Sequence, residues 1–128
     1  MVNVNSNLEL HGDHVKWNNE LSLYQDSLKT FENRLSEISE DFNDIEALKK
    51  IEHFQNQFII QNDAISKLKN QIQKHEINLT ITEKEGSDDR ISEDDKNYHG
   101  LIAENMDRHR ILFNELKEEF YSFITKLV

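Results

Sequence analysis

Six histidines are the residues best suited to chemistry in this 128-residue chain, which contains no cysteine. His75 and His99 fall on apolar helical stripes near one end of a hairpin, and His11 and His14 stand at a similar height before Trp17. Imidazoles from three helices can ligate zinc or another divalent ion, because a neutral ring nitrogen is a common metal donor. His14, His75 and His99 are the candidate metal ligands, with His109 as a further candidate. The competing reading is a wet bundle end, where histidine needs no ligand. A carboxylate-bridged di-iron centre needs Glu-x-x-His on two helices. That pattern is missing: His11, Lys50, Ile72, Lys96 and Met106 stand three residues before His14, His53, His75, His99 and His109. A hemerythrin-like iron set is approached only by His99 with Glu104.

The elements that must position these residues are legible from periodicity. Trp17, Leu21, Tyr24, Leu28, Phe31, Leu35 and Ile38 alternate spacings of four and three. The rhythm returns in Ile51, Phe54, Phe58, Gln61, Ile65, Leu68, Ile72, His75 and Leu79. A third stripe holds His99, Ile102, Met106, His109, Phe113, Leu116, Phe120, Phe123 and Leu127. Such spacing gives each of three helices one apolar seam, and the seams must face one another. The expected fold is all-α, an up-down-up antiparallel three-helix bundle with coiled-coil-like heptad seams. Expected helices run over about 14–39, 45–79 and 93–126. Residues 1–12 are expected to form a flexible arm before a single domain at 13–128, with Asp13 capping the first helix. The paired threonines Thr80 and Thr82 are expected to end the second helix, and residues 83–95 form an acidic loop. Asp41 or Asp44 caps the second helix and Ser92 the third.

Antiparallel hairpins place residues equally far from a turn at one height. Tyr24, Gln61 and His109 should therefore meet at mid-height as a polar core layer that satisfies itself and fixes the register. At a neighbouring level Leu23, Ile59, Ile60, Ile111 and Leu112 lie off the seams. An apolar band of this kind marks an interface for self-association, as a homodimer, or for docking of a partner helix. A wide buried stripe is the alternative explanation.

Composition removes several function classes. Lys plus Arg total 15 against 25 Asp plus Glu, for a net charge of −10. A nucleic-acid partner needs a basic footprint, and an anionic membrane favours one, so neither is expected. Without cysteine there are no disulfides or thiolate metal sites. No apolar run reaches transmembrane length, and the first residues lack the pattern of a signal peptide. A cytoplasmic protein is the expectation. No glycine-rich phosphate loop, EF-hand or triad pattern emerges.

Trp17-Asn18-Asn19-Glu20-Leu21 and Glu52-His53-Phe54-Gln55-Asn56-Gln57-Phe58-Ile59, with Lys67 to Glu76 and Phe113 to Phe123, resemble a family of small bacterial all-helical proteins. The resemblance spans most of the chain after residue 13. It implies a helical bundle and carries no activity, cofactor or site residue. The leading expectation is a non-enzymatic structural or protein-interaction module without a cofactor. The alternative is a histidine-dependent metal-binding bundle holding Zn or Fe, of zinc-binding or hemerythrin-like type. An enzyme is least favoured, since no nucleophile, base and anion-stabilising set converges.

Overall fold

The computed structural model describes residues 7–84 and 92–127. Three helices follow one another: α1 (Asn7–Asp41), α2 (Ile45–Lys84) and α3 (Glu93–Leu127). They pack as the expected all-α, antiparallel three-helix bundle. No strand occurs among the described residues.

The seams are the core. Leu21, Leu28, Phe54, Phe58, Ile65, Ile72, Ile102, Met106 and Phe120 lose essentially all contact with solvent. Phe120 is the hub of the aromatic half. Its ring centroid lies 5.3 Å from Phe31, 5.2 Å from Phe54 and 5.2 Å from Phe58, so one side chain touches both other helices. Tilted and edge-on ring pairs at such spacings are the favoured aromatic arrangements. Side chains on the outside tie α1 to α2. Lys69 Nζ donates to Ser22 Oγ at 3.0 Å and to Gln25 Oε1 at 2.8 Å. Asn62 donates to Glu32 at 2.9 Å.

Helix starts follow side-chain capping. Ala47 N donates to Asp44 Oδ2 at 3.3 Å, which makes Asp44 the cap of α2. Asp95 N donates to Ser92 Oγ at 3.1 Å, which caps α3 as the sequence suggests.

Two boundaries differ from expectation. Residues 7–12 belong to α1, and the rest of the expected arm, residues 1–6, lies outside the described residues. Asp13 is therefore inside the helix and caps nothing. The reason is Leu10, which is completely buried and packs with Leu79 in a small cluster of their own. Burying a leucine contributes about 1.5–3 kcal/mol, whereas a glycine inside a helix costs about 1 kcal/mol. Gly12 is outweighed. The second difference is that α2 passes through Thr80 and Thr82 to Lys84. Thr80 Oγ1 donates to the Glu76 carbonyl at 3.0 Å, so its hydroxyl bonds back into the helix. The acidic segment thereby loses both ends to helices, and residues 85–91 lie outside the described residues.

A Cβ on Gly12 or on Gly100 would meet nothing within 4 Å. Gly12→Ala should therefore raise the unfolding free energy by about 0.5–1 kcal/mol through backbone entropy. Urea denaturation measures it. No change would mean that residues 7–12 fray rather than hold a helix.

Candidate metal centre

The first seam does not stop at Trp17. It runs back through His14 to Leu10 with the same spacing of three and four. The second seam ends in His75 and Leu79, and the third begins at His99. Each helix thus carries a histidine where an apolar residue would otherwise sit. Seam geometry drives all three inward at one end, and His14, His75 and His99 are each only 2 % exposed.

Their rings form a triangle. Centroids are 5.1 Å apart for His14 and His75, 5.3 Å for His14 and His99, and 5.6 Å for His75 and His99. One nitrogen from each ring lies within 4.8 Å of the other two. Trp17 covers His99 at 4.7 Å between ring centroids, and Tyr98 flanks His75 at 5.2 Å.

A carboxylate stands behind every ring. His14 Nδ1 donates to Glu76 Oε1 at 2.6 Å. His99 Nε2 donates to Asp13 Oδ2 at 2.8 Å. Asp95 Oδ1 lies 3.7 Å from His75 Nε2, beyond hydrogen-bond length. These contacts determine the proton positions of neutral rings. His14 carries its proton on Nδ1, so its Nε2 is a lone pair that accepts from His75 Nδ1 at 3.1 Å. His75 Nε2 then has no proton for Asp95. His99, protonated on Nε2, has a bare Nδ1. Both His75 Nε2 and His99 Nδ1 are indeed buried without a hydrogen-bond partner among the described residues.

The electrostatics favour neutral rings at His75 and His99. Burial pushes His75 down to about 4, helped by the neighbouring His14 and His99 and opposed by Asp95 and Glu76. Burial also lowers His99, against the hydrogen bond to Asp13. Neutral imidazole is the form that binds metal. Burial by itself would raise the Glu76 carboxyl. The hydrogen bond from His14 and the charge and hydrogen bond of His11 outweigh it, and Glu76 stays below the usual carboxylate range. His11 Nδ1 donates to the second oxygen, Glu76 Oε2, at 2.5 Å. His11, His14 and Glu76 form a second group with metal-ligand spacing.

Asp13, Glu76 and Asp95 were not among the sequence candidates. Asp13 and Glu76 adjoin His14 and His75, and Asp95 stands one helical turn before His99. Each acid nevertheless serves a histidine of another helix, so spacing along one helix does not reveal the pairs.

The remaining candidates lie elsewhere. His109 is 4 % exposed and far along α3, one seam step from Phe113. Its ring meets Tyr24 at 5.3 Å. The layer does not satisfy itself. Tyr24 OH donates to Glu20 Oε2 at 2.8 Å, and Arg110 grips the same carboxylate with Nε at 2.6 Å and Nη2 at 2.9 Å. Gln61 Oε1 and His109 Nε2 are buried without hydrogen-bond partners among the described residues. Glu20, gripped by Arg110, thus takes the Tyr24 hydroxyl that the expected layer would have given to Gln61 and His109. Leu23, Ile59, Ile60, Ile111 and Leu112 are between 47 % and 65 % exposed. His53 Nε2 donates to Glu119 Oε1 at 2.8 Å on the surface between α2 and α3.

No family model, curated protein or solved structure matches the chain.

Burial lowers His109 below the usual histidine value, opposed by the charge of Glu20. Its neutral form therefore contributes stability that is complete above the unfolded value of about 6.5 and is lost as pH falls toward the lower folded value. His109→Leu should remove part of that acid sensitivity. It should also raise stability near neutral pH by about 1–3 kcal/mol, the cost of a buried unpaired polar group. Urea midpoints of the metal-free protein at several pH values check both.

Proposed function

We propose that the protein is a non-enzymatic, metal-binding helical bundle that takes a divalent transition ion, of which zinc is the type, on His14, His75 and His99. One observation carries this reading. Three buried imidazoles from three helices bring a nitrogen each within 4.8 Å, and a carboxylate stands behind every ring. Carboxylate–histidine–metal relays of this form fix the ring tautomer and raise ligand basicity. An ion at zinc–nitrogen distances of about 2.0–2.1 Å spaces tetrahedral ligands about 3.3 Å apart. His14 Nε2 and His75 Nδ1 stand near that already, at 3.1 Å.

Metal uptake also resolves the proton arrangement. The His75 proton moves from Nδ1 to Nε2, where Asp95 accepts it. His14 Nε2, His75 Nδ1 and His99 Nδ1 then offer three lone pairs to the ion. Both partnerless nitrogens acquire a partner. Zinc, with no redox chemistry, suits a site that ties three helices together, and an all-nitrogen histidine set also accommodates iron, copper or nickel. The bundle of helices is the fold that the sequence leads one to expect. The histidine end adds the ligand.

A second reading, self-association through the apolar band, is supported by the exposure of Leu23, Ile59, Ile60, Ile111 and Leu112. Light scattering across a concentration series tests it, and a strictly monomeric mass counts against it.

For the metal reading, the metal-free protein is dialysed against zinc, and bound zinc is measured by elemental analysis. Binding at His14, His75 and His99 should raise the unfolding free energy by about 2.7 kcal/mol at a zinc concentration 100 times the dissociation constant. His75→Ala should abolish that stabilisation. Asp13→Asn should keep the ligands but weaken binding by about 10–100-fold, as loss of an outer partner does. A wild-type protein that binds no zinc, cobalt, copper or iron overturns the reading.

A further inference from the structure

Glu76 is gripped from two sides. His14 Nδ1 reaches one carboxylate oxygen at 2.6 Å and His11 Nδ1 reaches the other at 2.5 Å. The three side chains have metal-ligand spacing as a set of their own. They differ from the inner triangle in access. His11 is 25 % and Glu76 39 % exposed in their side chains, against 2 % for His14. His14 belongs to both sets, and its two nitrogens point to different ones: Nε2 to His75, Nδ1 to Glu76.

We propose that His11 Nδ1, the Glu76 carboxylate and His14 Nδ1 form a second, outer divalent-cation site, bridged to the inner ion by the His14 ring as imidazolate. The inference rests on the metal reading of His14, His75 and His99. The ligands are chemically ordinary for zinc or copper(II): two imidazole nitrogens and one carboxylate. The present N···O separations of 2.5 and 2.6 Å are hydrogen-bond lengths. Tetrahedral ligands around one zinc ion stand about 3.3 Å apart, so Glu76 and His11 must open by about 0.7–0.8 Å. Their partial exposure leaves room for that movement, whereas His14 is held by the core.

The proton balance is explicit. Filling the inner site coordinates His14 Nε2 and leaves the proton on Nδ1, hydrogen-bonded to Glu76. An inner cation makes that proton more acidic, as bound metal ions do to the groups they contact. The outer ion replaces it at Nδ1, and the proton leaves to solvent. His11 contributes the lone pair of its Nδ1 after its own proton moves to Nε2 or to solvent. The inner site therefore fills first, and the outer site follows at higher metal concentration. The chain's net charge of −10 helps to hold two dications.

The test uses the full chain with zinc and copper(II) as probes. Bound zinc is counted after equilibrium dialysis in wild type, His11→Ala and His99→Ala, with circular dichroism confirming that each is folded. Wild type should bind two equivalents in two steps. His11→Ala should bind one, with the first step shifted less than about threefold. His99→Ala should weaken the first step. With copper(II), spectral intensity in electron paramagnetic resonance should be lower at two equivalents than at one, because imidazolate-bridged ions couple. One equivalent in wild type, unchanged by His11→Ala, overturns the outer site and leaves the inner one standing. No bound metal in wild type overturns both. Two equivalents with additive copper signals overturn the bridge.

Discussion

Everything in this molecule depends on burying one side of three long helices against the other two. The α-helix returns to a face every three or four residues, and the apolar residues keep that beat from Leu10 to Ile38, Ile51 to Leu79 and Ile102 to Phe120. Any residue on the beat is forced inward, whatever its chemistry. Through most of the bundle these residues are leucine, isoleucine and phenylalanine. At one end they are His14, His75 and His99, and the same geometry that packs phenylalanine elsewhere stacks three imidazoles there.

That placement has an electrostatic consequence. A buried imidazole in a low-dielectric core resists charging, which explains why His75, His99 and His109 all sit below the usual histidine value. Neutral rings must still place two nitrogens each. The histidine end does this by turning one nitrogen toward its neighbours and the other toward an acid at the rim. Asp13, Glu76 and Asp95 come from three different helices. The arrangement contrasts with His109, which meets Tyr24 by ring contact and whose buried Nε2 has no hydrogen-bond partner among the described residues. Its neighbour Glu20 is committed to Arg110 and Tyr24 instead. Two histidine environments on α3 thus differ in their partners more than in their burial, and only one of them resembles a ligand site.

The two ends of the bundle also differ in how they hold together. Around Phe120 the helices meet through large rings, where area and shape decide the packing. Around His14 they meet through hydrogen bonds with fixed donors and acceptors, where a misplaced proton leaves a buried nitrogen bare. The aromatic end holds its packing through dispersion and water exclusion. The histidine end instead places specific demands on which nitrogen carries a proton, and two of its buried nitrogens have no hydrogen-bond partner among the described residues.

Periodicity was enough to read three helices, their order and the facing seams, because heptad spacing is a local property of the chain, and Ser92 as a cap marked the start of α3 at Glu93. It also placed His75 and His99 in the core and His14 near them. It misjudged residues 7–12, since the signal that extends α1 is not local: Leu10 holds the helix only because Leu79, on another helix, covers it. For the same reason the carboxylates were invisible as partners. Asp13 looked like a helix cap and Asp95 like part of an acidic loop, yet Asp13 reaches His99 and Asp95 faces His75. Nor could spacing show that the Tyr24 hydroxyl bonds to Glu20, which Arg110 also grips, while Gln61 Oε1 and His109 Nε2 have no hydrogen-bond partner among the described residues. Sequence determined which face of each helix is buried, a matter of residue type along one chain. The tertiary structure alone decided which nitrogen meets which oxygen, because that depends on the rotation and height of three helices relative to one another.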